Sequence, residues 1–202
     1  MNWIGEIFGF LGGALGVSQA LPQAIRIRRL GHGYGVSLAM WIATLVVNAS
    51  WLGYGLMLHS PSLIISNIIG FSTSSLVVGA LLNKGWVAWP VMFAAGAAWL
   101  FLELQVSFEV LTGFLIVLTL YRLPQLIKSV RNLRAGRPTA VSLPGLLVGL
   151  SAIGSWMVYS VLSGKNQLIL TTGSALLMTL AIVTLEVITG QLAKNRANIA
   201  AS

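Results

Sequence analysis

Residues 36–59, VSLAMWIATLVVNASWLGYGLMLH, are answered by residues 141–164, VSLPGLLVGLSAIGSWMVYSVLSG. Val36-Ser37-Leu38 returns as Val141-Ser142-Leu143, and Ser50-Trp51-x-x-Tyr54 returns as Ser155-Trp156-x-x-Tyr159, both at an offset of 105 residues (156 − 51). Upstream of each stretch stands another shared signature. Leu21-Pro22-Gln23 recurs as Leu123-Pro124-Gln125, each followed by a basic segment. Order and spacing hold together, so the chain carries an internal repeat. Apolar stretches of about 20 residues with almost no charge recur along the whole length, the length a helix needs to cross a hydrocarbon core.

The composition agrees. Of 202 residues 56% are apolar and only 8% charged, with a mean hydropathy of +0.88. About a quarter charged is usual for soluble domains, so this chain lacks the residues to cover a water-facing surface. No polar stretch is long enough for a soluble domain. The formal charge of +8 would suggest nucleic acid in a soluble protein, but here the basic residues cluster in particular connections, and no nucleic-acid partner is implied. Cysteine is absent, which removes disulfides and thiolate metal sites; His32 and His59 stand alone without ligand spacing, so neither a metal nor a cofactor is expected. Met1 to Trp3 carry no positive segment and Glu6 follows early, which reads as a first span that is kept.

Spans are expected near 4–25, 36–58, 62–82, 86–102, 106–127, 141–162 and 167–190. Seven spans place ten basic residues on one side: Arg26, Arg28, Arg29, Lys84, Lys128, Arg131, Arg134, Arg137, Lys194 and Arg196. The other side has Lys165 alone. Basic connections stay in the cytoplasm, so a multi-pass protein of the cell membrane is expected, with its N-terminus outside and its C-terminus cytoplasmic. An odd span between the copies makes them run in the same direction. The expected fold is all-α: a first three-helix repeat at 1–83, a linker transmembrane helix at 84–104, a second three-helix repeat at 105–192 and a tail at 193–202. Parallel repeats related by an axis along the membrane normal are one transporter architecture, with the substrate between the halves near the midplane.

The paired Pro-Gln motifs, the Ser-Trp-x-x-Tyr spacing and the three-plus-one-plus-three layout resemble the PQ-loop family, and within it the SWEET and SemiSWEET sugar transporters. The resemblance runs from about residue 8 to 190. It implies two triple-helix bundles facing each other across a pathway and alternating access. A sugar facilitator, or uniporter, is the leading reading, its partners a small neutral solute and membrane lipids; homo-oligomerisation stays open.

Helix counting places candidate residues. Trp51 and Asn67 lie symmetrically about His59 in the turn between spans two and three. Eight residues at about 1.5 Å put both roughly 12 Å below that turn, near the centre of a core about 30 Å thick. Trp156 and Thr172 repeat this geometry about Gly164, so two side chains from each half share one level. An indole face packs on the C–H surface of a sugar, and an amide donates to and accepts from hydroxyls. SWEET transporters are similar here, with Trp and Asn at these places, although this chain has Thr172 where a second Asn would complete the symmetry. Pro22 and Pro124 cannot donate to the carbonyls of Ser18 and Leu120, so each helix can bend there, with Gln23 and Gln125 available to the freed groups. Pro144 resembles a family hinge proline; its counterpart in the first half is Ala39. Tyr54 and Tyr159, one turn outward from the tryptophans, are placed to close the outer mouth, as the resemblance implies.

Each residue type also has a plainer use: tryptophan and tyrosine as interface anchors, Asn and Thr as interhelical hydrogen bonds, proline as a span end. Glu186 is the one acid within the last span; counting from Thr172 puts it on the same face about 21 Å nearer the cytoplasm, where pairing with Arg122, Lys128 or Lys194 is expected. No Ser-His-acid set and no phosphate-cradling loop is present, which points away from an enzyme. The alternatives are a proton-coupled amino-acid transporter of the PQ-loop type, which needs intramembrane acids, and a receptor on the same scaffold.

Overall fold

The computed structural model describes residues 2–83, 87–136, 139–164 and 166–201. Lys84, Arg137 and Lys165 of the charge argument, and Trp86 at the expected start of span four, lie outside these residues, as does the side chain of Arg196. Every element among them is helical: α1 (Trp3–Leu30), α2 (Leu38–Leu58), α3 (Pro61–Leu82), α4 (Ala88–Glu103), α5 (Phe108–Val117), α6 (Leu123–Ala135), α7 (Leu143–Ser163) and α8 (Asn166–Ala201). A 3-10 segment at Leu118–Arg122 joins α5 to α6, and the three form one span, Phe108–Ala135. Six spans are long and apolar enough to cross a membrane. The seventh helix, α4, is equally apolar but has 16 residues, roughly 24 Å against a core of about 30 Å. Among the described residues the chain is thus a polytopic membrane protein of seven helices, counting Phe108–Ala135 as one.

Local chemistry sets the helix ends. Hydroxyls cap the starts: Ser37 Oγ accepts from Met40 N at 3.1 Å, Ser60 Oγ from Leu63 N at 3.5 Å and Ser142 Oγ from Gly145 N at 3.1 Å, each satisfying an N–H the helix leaves free. Left-handed residues close the ends, and these keep the repeat. Gly31 (φ 68°) matches Gly136 (φ 61°), and His59 (φ 53°) matches Gly164 (φ 62°), all at the offset of the Trp motif. The glycines take this conformation without a Cβ penalty; His59 bears it. α1 outruns its expected end at 25 because nothing breaks a helix before Gly31, so Arg26, Arg28 and Arg29 ride on its last turns.

The two Pro-Gln sites differ. The α1 helix continues through Pro22, whereas Pro124 opens α6 after the 3-10 segment. Pro124 has no N–H for the Leu120 carbonyl, and tighter turns take up the defect there. Pro144 stands in the first turn of α7, where a missing N–H costs nothing.

Polarity is inverted relative to a water-soluble bundle. Ser50, Ser62, Ser75, Ser129 and Ser160 are fully buried, while Val91, Phe101 and Leu177 stand on the surface. Lipid solvates apolar side chains well, and small polar residues mediate helix contacts inside. α1 packs on α3 and α7, the Phe108–Ala135 span on α2 and α8, and α4 on α2 and α3. The first helix of each half thus lies against the second helix of the other. Glycines permit the close approach of α1: a Cβ on Gly12 would fall 2.9 Å from Trp156 Cδ1, and one on Gly13 would collide with Ser66 Oγ. One end of the bundle holds the α2–α3 and α7–α8 turns; the other holds the basic connections. A buried apolar cluster lies toward each end, around Tyr54, Leu111 and Tyr159 at the turn end and around Ile27, Trp41, Val141 and Ile182 at the basic end.

Candidate functional site: a cavity between the halves

Between the two clusters lies a cavity of about 190 Å³. Trp51, Asn67, Trp156 and Thr172 all line it, so the four level positions meet on one wall system. The repeat survives at side-chain resolution. Trp51 meets Tyr54 edge-on at 5.3 Å and 87°, and Trp156 meets Tyr159 at the same 5.3 Å and 87°. Asn67 Nδ2 donates to Leu63 O at 2.7 Å, which leaves its carbonyl oxygen and second N–H unpartnered among the described residues. Thr172 donates its one hydroxyl hydrogen to Leu168 O, with Ser160 Oγ 3.3 Å away. The two equivalent positions are therefore unequal: Asn67 has free capacity, and the hydroxyl of Thr172 is committed to its own helix.

Several lining residues escaped the sequence reading. Trp41, Thr44 and Asn48 join Trp51 on one face of α2, spaced three and four residues apart, a stripe that the helical period makes legible. Asn48 brings a second amide, its Nδ2 donating to Thr44 O at 2.8 Å, and it fits because residue 70 is glycine. Gly12, Gly16 and Ala20 form the α1 wall, their small size making the space. Tyr121 and Arg122, from the 3-10 segment, close the basic side.

Contacts between the halves bracket the cavity at both ends. At the turn end Tyr54 is completely buried and stacks on Phe108 of the second half at 5.2 Å. Tyr159 Oη lies 3.1 Å from Ser60 Oγ of the first half, and Glu6 accepts from Ser60 Oγ at 3.0 Å and from Ser62 N at 3.0 Å. At the basic end the two motif glutamines reach across, not back to their own prolines. Gln23 Nε2 donates to Ala140 O (3.0 Å) and its Oε1 accepts from Ser142 N (2.8 Å). Gln125 Nε2 donates to Gly35 O (3.1 Å) and its Oε1 accepts from Ser37 N (2.8 Å). Each glutamine thereby grips the backbone that leads into the second helix of the opposite half. Between those two lead-in segments, Ala140 N donates to Tyr34 O at 2.8 Å.

Glu186 is not ion-paired as the sequence suggested. Ser129 Oγ and Thr139 Oγ1 donate to it at 2.6 and 2.7 Å, and among the described residues it forms no ion pair. Two hydroxyls satisfy the carboxylate, Ser129 from α6 and Thr139 from the approach to α7. No group of His, Cys, Asp or Glu able to hold a metal occurs among the described residues.

The family model described as "Sugar efflux transporter for intercellular exchange" matches residues 17–81. No curated protein and no solved structure gives a match. The matched segment runs from the middle of α1 through α2 to the last turn of α3 and holds Gln23, Trp51, Tyr54 and Asn67. The resemblance to the SWEET and SemiSWEET sugar transporters is thus supported over residues 17–81 of a membrane-spanning helical chain.

Proposed function

We propose that the chain is a facilitator that moves a small sugar by alternating access, with Trp51, Asn67, Trp156 and Thr172 as its binding level. The supporting observation is the cavity itself: aromatic faces and a free amide around a space of about 190 Å³, bracketed at both ends by contacts between the halves. Pockets for drug-sized ligands run to about 300–1,000 Å³, so this space suits a small solute. In this reading Tyr54 and Tyr159 form the outer gate, and the glutamine bonds form the inner one. Pro22, Pro124 and Pro144 mark the bending points. The halves divide at 1–83 and 105–192 with 84–104 as linker, and the N-terminus faces out of the cell membrane. None of the four acids lines the cavity, which supports uniport over proton coupling.

Purified protein in liposomes, loaded with unlabelled sugar and given the labelled sugar outside, tests this. Counterflow above that of empty liposomes, abolished by Trp51→Ala, is expected. Tight binding of a sugar without any flux would convert the reading to a receptor.

A further inference from the structure

Arg122 is 7% exposed, lines the central cavity, and also lines a smaller pocket toward the basic end formed by Gln23, Gln125 and Ser142. It therefore stands between the central cavity and the basic seam. Its Nε donates to Tyr121 Oη at 2.7 Å, and its guanidinium carbon sits 4.9 Å from the centre of the Tyr121 ring. Among the described residues nothing else binds it: no acid pairs with it, and its Nη groups have no acceptor. The partner that the sequence suggested, Glu186, is taken by Ser129 and Thr139 and lines neither space. No acidic residue lines either space.

A guanidinium does not shed its proton, so this charge persists in a side chain that is itself 7% exposed. Burying an unpaired charge is strongly unfavourable, and cations inside a membrane bundle characteristically face a partner or a substrate path. Here the partner is missing and the path is present. The planar fork of N–H donors matches a carboxylate or a phosphate in bidentate fashion.

We infer that the solute is an acidic sugar, a small polyhydroxylated ring or chain bearing one anionic group, with Arg122 binding the anion while Asn48 and Asn67 take the hydroxyls. This rests on the transport reading of the same cavity and replaces the neutral solute expected from the sequence. Moving such a solute alone carries net charge, so an inside-negative membrane potential drives it outward.

Three matched probes test the inference: D-glucuronate, D-glucose and D-glucose 6-phosphate, which share a ring and differ at one carbon. In proteoliposomes of the parent protein, D-glucuronate or D-glucose 6-phosphate should compete with labelled sugar at least about tenfold more strongly than D-glucose, as for a charge-assisted hydrogen bond. The arm that competes better names the anion as carboxylate or phosphate. Arg122→Gln should lower that preference by about tenfold or more, and Arg122→Lys should recover part of it. An inside-negative potassium diffusion potential should speed outward flux of the preferred anion. Should the parent carry D-glucose and reject both anions, or should Arg122→Gln leave the preference unchanged, the anion assignment is wrong while the transporter reading stands. Should none of the three move or bind, both fall.

Discussion

Asn67 and Thr172 occupy equivalent places in the two repeats and both line the cavity, yet only Asn67 of the two keeps a free N–H donor. Asn67→Ala should therefore weaken binding of the transported sugar by about 1–3 kcal/mol, because sugar hydroxyls are left unpaired in a water-poor site. Asn48→Ala should fall in the same range, and Thr172→Ala should cost less than about 1 kcal/mol, since it removes a hydroxyl already spent on Leu168. Trp51→Ala removes the apolar platform and should be severe. Glu186→Gln should leave affinity nearly unchanged, for its carboxylate lies outside the cavity wall. Calorimetry on well-folded variants decides; a Thr172→Ala defect exceeding that of Asn67→Ala contradicts the asymmetry. The level of the four residues was legible because a helical hairpin places residues equidistant from its turn at equal depth. Asn48 and Arg122 were passed over for different reasons. Asn48 lacks an equivalent in the second copy, where Ile153 stands at the matching offset, so a reading led by the repeat did not reach it. Arg122 looked like a partner for Glu186, and only the packing shows that hydroxyls hold that acid instead.

At the scale of elements, the helical spans followed from apolar length, while the partners of the motif glutamines did not. A Pro-Gln pair suggests a bend relieved by its own side chain. The packing of α1 on α7, and of the Phe108–Ala135 span on α2, turns each glutamine toward the other half. No local pattern encodes that choice. The 3-10 turn before Pro124 was equally hidden, since Pro22 in the same motif leaves α1 continuous. The crossed bonds make a specific expectation. Gln23→Ala removes two buried bonds, each contributing about 1 kcal/mol, and so loosens the basic-end seam. A cysteine at Ala20, buried in the parent and the only thiol in a chain without cysteine, should then react with a small thiol reagent about tenfold faster. Gln125→Ala should act alike. Unchanged reactivity in both would deny the glutamines a gating role.

For the whole molecule, composition alone placed the chain in a membrane, and buried serines beneath an apolar exterior are the physical counterpart of that reading. Orientation rests on the basic connections. A cysteine at Ser163 should react with an impermeant reagent applied outside cells and one at Ala135 should not; the reverse pattern inverts the topology. Uniport also predicts that a protonophore leaves counterflow at equal pH unaltered, whereas arrest by a protonophore would favour the proton-coupled alternative. The central claim is that two halves rock about the central cavity, and the basic-end seam offers the most direct test of it. Tyr34 and Ala140 meet there through a backbone hydrogen bond of 2.8 Å, and a disulfide between cysteines at those positions, its formation checked by mass, would pin the seam shut. Sugar counterflow should be measured in proteoliposomes of the Tyr34→Cys, Ala140→Cys double variant, oxidised and then reduced. The account predicts that oxidation stops counterflow and reduction restores it; full counterflow with the disulfide formed would contradict it.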